Sequence, residues 1–172
     1  MTNTFDKKSL LDVIVGQLKI NKEGIHGTSH WARVRHHGLT VGKERDADLL
    51  VIELFAFLHD SQRENEWRDP LHGTRAADFA VSLNSVYFDL NSSQLDKLCY
   101  AMTLHSDGHV HADATIQSCW DADRLDLGRA DIYPNEKFLS SEAAKHIASA
   151  YEWSRYRLVL KDDATIDPHD EY

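Results

Sequence analysis

"LLVIELFAFLHDSQRENEWRDPLHG", residues Leu49–Gly73, sets an apolar helix directly against a charged segment. From Leu49 to Leu58 only Glu53 is charged, so apolar side chains surround nearly the whole helical circumference. Such a helix belongs at the centre of an all-helical molecule. It ends on two adjacent ionisable residues, His59 and Asp60. Burying an ionised carboxylate costs on the order of tens of kcal/mol in an idealised low-dielectric medium, so Asp60 must be solvated, paired or bound to a cation.

Outward from this stretch the pattern stays helical. Asp46 or Asp48 precedes the central helix. Thr28 or Ser29 suits the N-cap of a helix through "HWARVRHHGLTVGKER", with Trp31, Val34 and Val41 as its apolar stripe. Before it, Leu10, Leu11, Ile14 and Leu18 share one face of a helix over about residues 6–20, broken by Gly24 and Gly27. Downstream, Pro70 suits the first position of "PLHGTRAADFAVSLN", where Ala76, Ala77 and Ala80 permit close packing. Ser92 or Ser93 opens "SQLDKLCYAMTLHS", with Gly108 near its C-cap, and Asn91 reads as a turn residue. A sixth helix includes "TIQSCWDADRLDLGR", and a seventh starts near Ser140 with "SEAAKHIASAYEWSRY". Only 8 glycines and 3 prolines interrupt the chain, and no stretch alternates like a strand. The expectation is one all-α domain over residues 1–172 with about seven helices, in which 161–172 form a frayed acidic tail.

At 172 residues, the chain is long enough to bury about two-thirds of the surface it exposes when unfolded. Cys99 and Cys119 form no C-x-x-C pair, which predicts free thiols and a reducing, cytoplasmic setting. There is no signal-peptide pattern and no apolar run of about 18 residues, so a membrane partner is not expected. The net charge of −9 disfavours long nucleic acids, which demand a basic face. A small anionic substrate remains compatible if a cation or local arginines attract it. The 11 histidines are the unusual feature, because imidazole is the commonest metal ligand.

Four features fall at helix boundaries: His30, the pair His59 and Asp60, and Asp123 within "DADRLD". Taken singly, each has an ordinary explanation. A histidine at a helix end serves as a cap or dipole partner, and Asp60 could pair with Arg63 or Arg124. Taken in order, H…HD…D with the last acid in an A-D-x-L context resembles the HD superfamily of metal-dependent phosphohydrolases. The resemblance spans about residues 26–130 and rests on "HGTSHWARV", "FLHDS", "DPLHG", "TLHSDG" and "DADRLDLGR". It implies an all-α HD-domain fold. It also implies His30, His59, Asp60 and Asp123 as ligands of a divalent transition metal, with Mn, Fe, Co, Ni and Zn all acceptable to imidazole and carboxylate.

Asp121 competes with Asp123 for the last ligand position; being about 200° away around the helix, it would instead orient a ligand histidine from behind. Histidines between the HD pair and the final aspartate bind a second metal or substrate phosphate in some members of the superfamily. "DPLHG" and "TLHS" place His72 and His105 there. His26 is a candidate substrate contact, and His36 with His37 is read as surface.

A metal ion makes a nucleophile from water and polarises a phosphoryl oxygen, leaving a need for cations and a general acid. Arg63 is the first candidate for bidentate phosphate contact, with Arg33, Arg68, Arg75 and Arg124 as others. Glu64 resembles the proton-handling acid of many HD hydrolases, with Glu66 and Asp69 as rivals. The function expected is hydrolysis of a phosphomonoester or phosphoanhydride in a nucleotide or related small metabolite. Two other readings stand beside it: a non-catalytic nucleotide-binding HD regulatory module, and a di-iron HD-type oxygenase.

Overall fold

The computed structural model describes residues 5–156; the tail at 161–172 lies outside them. Eight α-helices follow in order: α1 (Lys7–Gly16), α2 (Thr28–Glu44), α3 (Leu49–Leu58), α4 (His72–Leu83), α5 (Ser92–Leu104), α6 (Ala114–Leu125), α7 (Ser141–Ala144) and α8 (Ile147–Trp153). Two 3₁₀ turns, Asp126–Ala130 and Glu136–Phe138, lie between α6 and α7. No β-strand occurs among the described residues; Asn84 and Phe88 form an isolated bridge.

Helix α3 is the axis of the molecule. Every residue from Val51 to Leu58 is buried, and α2, α5 and α6 pack round it while α4 lies against α5. The one charge on α3, Glu53, reaches Arg35 at 2.6 Å and Lys7 at 2.7 Å, so its burial leaves no unpaired ion. Trp31, Phe55, Phe57 and Trp120 are all fully buried in the same core. A smaller core of Val41, Leu125, Ala143, Ile147 and Ala150 holds the C-terminal helices.

Element ends differ from the sequence reading in ways that local chemistry explains. Asp48 caps α3 as expected, accepting from the backbone N–H groups of Leu50 and Val51. Helix α1 stops at Gly16 rather than near residue 20. Gly27, not Thr28 or Ser29, occupies the N-cap of α2, because the Thr28 hydroxyl is donated to the Lys22 carbonyl instead. Helix α4 begins at His72, past Pro70, because the Asp69–Leu71 segment is a turn closed by the His72 N–H on the Asp69 carbonyl. Asn91 is the cap of α5, in a reciprocal capping box with Gln94. The sixth helix tightens to 3₁₀ after Leu125, and the seventh is divided at Lys145 and His146.

Glycines set two close approaches. A Cβ on Gly38 of α2 would lie 2.5 Å from Ile52 Cγ2 on α3. A Cβ on Gly73 of α4 would overlap the Met102 carbonyl oxygen on α5, so glycine is what lets these two helices meet beside His72 and His105. Gly73→Ala is expected to cost about 1–3 kcal/mol through overpacking. Urea denaturation with the metal removed by chelation measures it, and a change under about 0.5 kcal/mol would contradict the tight α4–α5 approach.

Candidate metal centre

Helix ends converge on one buried point. His30 sits near the start of α2, His59 and Asp60 at the end of α3, His72 at the start of α4, His105 at the end of α5 and Asp123 in the last turn of α6. Each of the four histidines has its Nδ1 engaged: His30 with Asp126 at 2.7 Å, His59 with the Phe55 carbonyl at 3.0 Å, His72 with the Asp69 carbonyl and His105 with the Met102 carbonyl at 2.6 Å. These partners accept, so each Nδ1 carries a proton and each Nε2 is turned toward the cluster, where a bound cation would take the place of any proton on it.

The four Nε2 atoms point at one another and at Asp60. His30 Nε2 lies 3.1 Å from His59 Nε2, and His72 Nε2 lies 2.9 Å from His105 Nε2. Two lone pairs at such distances repel unless a proton or cation stands between them. Asp60 faces both pairs: Oδ2 lies 3.5 Å and 3.4 Å from His30 and His59, while Oδ1 lies 3.2 Å and 3.8 Å from His72 and His105. Asp123 Oδ1 is 3.4 Å from His30 and 3.8 Å from His59, and this buried atom has no hydrogen-bond donor.

These converging ligand atoms, with Asp123 Oδ1 left unpartnered, provide the test of whether a metal fits. His30, His59 and Asp60 can place ligand atoms within 4.8 Å of one another, as can Asp60, His72 and His105, and also His59, His105 and Asp123. Nitrogen and carboxylate oxygen donors, with the second ring nitrogens tied down, are the donor set of a first-row divalent site. Each of these three overlapping trios fits a divalent ion, and they share His59, Asp60 and His105 between them.

The local field attracts positive charge. Burial and the Arg129 guanidinium lower the His30 pKa, but Asp123, Asp126 and Asp60 outweigh them and carry it up to about 9. Burial raises Asp60 and Asp123, yet the surrounding imidazoles, with Arg129 beside Asp123, hold both carboxyls well below the usual carboxylate range. Burial lowers the His59 pKa more than Asp60 and Asp123 raise it.

The remaining candidates divide between this cavity and other places. A cavity of about 400 Å³ opens onto Asp60, His105 and Asp123. Arg63 lines it, 3.4 Å from Asp60 Oδ1 and 3.3 Å from His72 Nε2. His26 lines it too, its Nδ1 held by Glu66 at 2.7 Å. Arg33 does not reach the cavity. It lies behind His30, with Nε donated to Asp126 Oδ1 at 2.6 Å and Nη2 to Oδ2 at 3.1 Å. Arg75 is engaged with Asp69 at 2.6 Å and the Gln62 carbonyl. Glu64 stands in a half-exposed ion pair with Lys19, because the charged loop after Asp60 turns it outward to water. Asp69 is bound by Arg75 and the Glu64 N–H.

Two further readings of the sequence need correction. Asp121 does not orient a ligand histidine; it accepts from Gln117 and Ser140 on the far side of α6. Asp126 takes that role, and it stands three residues after Asp123 in "DADRLD", a spacing that returns to the same face. His37 is not surface. It is buried against Trp153, at a ring-centroid separation of 5.2 Å, and burial pushes its pKa down to about 3. Arg129 was not anticipated: its Nη2 lies 3.6 Å from Asp123 in the cavity wall.

No protein-family model matches the sequence, and no curated protein matches it. Among solved structures the chain is similar to a predicted HD superfamily hydrolase from an uncultured Thermotogales bacterium, at 24% identity over 87% of each chain with a TM-score of 0.68. No helix among the described residues is long and apolar enough to cross a membrane. The helical order, the converging histidines and this likeness together identify the fold of the chain as that of the HD superfamily.

Proposed function

We propose that this protein is a metal-dependent phosphohydrolase that cleaves a phosphomonoester or phosphoanhydride in a nucleotide or related small metabolite. The observation that carries the reading is the set of four histidines, each with Nδ1 tied back and Nε2 aimed at Asp60. His30, His59, Asp60 and Asp123 would hold one divalent cation, and His72 with His105 and the other Asp60 oxygen a second. Cations in such a donor set supply Lewis acidity and a water of lowered pKa.

The chain supplies the rest. Arg63, beside Asp60, and Arg129, beside Asp123, offer N–H donors to the oxygens of a phosphoryl group. His26 is a substrate contact in this reading: with Nδ1 donated to Glu66, its Nε2 is left to accept a hydrogen bond from water or a substrate hydroxyl. Leu127, Ile132 and Tyr133 supply an apolar part of the cavity lining. The arginines favour an anionic substrate over oxygenase chemistry at the same cluster.

Elemental analysis of protein purified without chelator, followed by phosphate-release assays across nucleotides with Mn²⁺, Co²⁺ and Ni²⁺, tests the proposal. Two equivalents of metal per chain are expected, falling to one in a His72→Ala, His105→Ala double variant. Absence of any bound transition metal, or turnover only with iron and oxygen, would overturn it.

A further inference from the structure

The cavity beside the metal centre contains one cation that the reaction just described does not use. Arg124 is buried, 8% exposed, and lies 5.4 Å over the Trp120 ring and 5.9 Å from the Phe138 ring. Its Nη1 is donated to the Phe138 carbonyl at 2.6 Å. Its Nη2 is buried with no acceptor, and no carboxylate pairs with it among the described residues. A guanidinium desolvated to this degree with a donor left over is costly, unless an anion completes it.

The other two arginines of the cavity are committed differently. Arg63 donates to the Asn65 and Trp67 carbonyls as well as Asp60, and Arg129 to the Ile25 and Asp126 carbonyls. Arg124 follows Asp123 directly on α6, about 100° further round the helix. Asp123 therefore turns to the histidines and Arg124 to the Asn135–Phe138 segment, and both line the one cavity. At about 400 Å³, that cavity is within the range of small-molecule pockets and larger than a single phosphate needs.

We propose that Arg124 is the anchor of a second anion subsite, so that the substrate is a small molecule with two anionic groups. One is the phosphoryl group that reacts at the histidine and aspartate cluster, and the other is a phosphate or carboxylate held by Arg124. The proposal rests on the phosphohydrolase reading of the same cavity.

Its test uses manganese-loaded protein and two matched series. Calorimetry compares α,ω-alkane bisphosphonates of two to six carbons with alkyl monophosphonates of equal length, which bind but are not hydrolysed. Turnover compares the corresponding bisphosphates and monophosphates. At one chain length the bisphosphonate is expected to bind at least about tenfold more tightly than the monophosphonate, since a charge-assisted guanidinium contact is among the stronger hydrogen bonds. Arg124→Gln is expected to erase that preference while monophosphonate affinity stays within about twofold, and Arg124→Lys to retain part of it. Equal binding of the two series by the wild type would overturn the subsite without reference to any variant's folding. A bisphosphonate held through Arg124 with no phosphate release from any ester would instead uphold the subsite and overturn the hydrolase reading. Free carboxylates in place of the second phosphonate identify which anion the subsite prefers.

Discussion

Asp60→Ala is expected to leave protein with almost no bound transition metal and with turnover reduced by about 10³-fold or more, since several kcal/mol of charge stabilisation would be lost. The size of the effect follows from the position of the carboxylate. Its Oδ2 faces His30 and His59, and its Oδ1 faces His72 and His105, so one substitution removes an anionic donor from both halves of the cluster. Without it, four imidazoles would converge on a cation with only Asp123 to balance the charge. The fold itself is expected to persist, because Asp60 follows a helix whose stability comes from residues such as Leu54, Phe55 and Phe57 in the core. Circular dichroism separates loss of metal from loss of structure. Full metal content in a folded Asp60→Ala protein would show that the cluster does not depend on its central carboxylate.

Asp126→Ala is expected to be the most destabilising change near the centre, although Asp126 faces away from the cavity. The side chain accepts from His30 Nδ1 and receives a two-pronged contact from Arg33, with all three residues buried. Removing the carboxylate leaves the Arg33 charge uncompensated, at a cost of about 3–5 kcal/mol. It also frees the His30 ring to rotate, which is expected to weaken metal binding by about 10–100-fold. Chemical denaturation of chelated protein measures the first effect, and metal titration the second. Asp126→Asn keeps an acceptor for His30 and should recover part of the metal affinity but little of the stability. Equal loss of both in the two variants would mean that Asp126 acts only through its charge.

These two residues also mark the limits of what could be read from the chain. Asp60 stood out because a carboxylate directly after ten largely apolar residues demands compensation wherever that helix packs. Asp126 did not, since its meaning depends on a histidine 96 residues away. Its spacing from Asp123 held a usable clue, but the competing Asp121 was the same kind of residue at a plausible distance. Glu64 illustrates the reverse case. Its sequence position beside Asp60 suggested catalysis, whereas the loop's path delivers it to Lys19 and sends the neighbouring Glu66 to His26.

The sequence by itself determined an all-helical molecule with an apolar central helix, because hydrophobic period, scarcity of breakers and capping residues are local properties that survive in any packing. It also determined which donors stand at helix ends. Only the tertiary structure decided which of them share a cavity: it brought His72 and His105 to the second face of Asp60, buried His37 beneath Trp153, and set Arg124 beside a space larger than one phosphate. The reason is geometric. A residue's place on its helix fixes a direction relative to that helix alone, and the point where several such directions meet is set by how the helices cross.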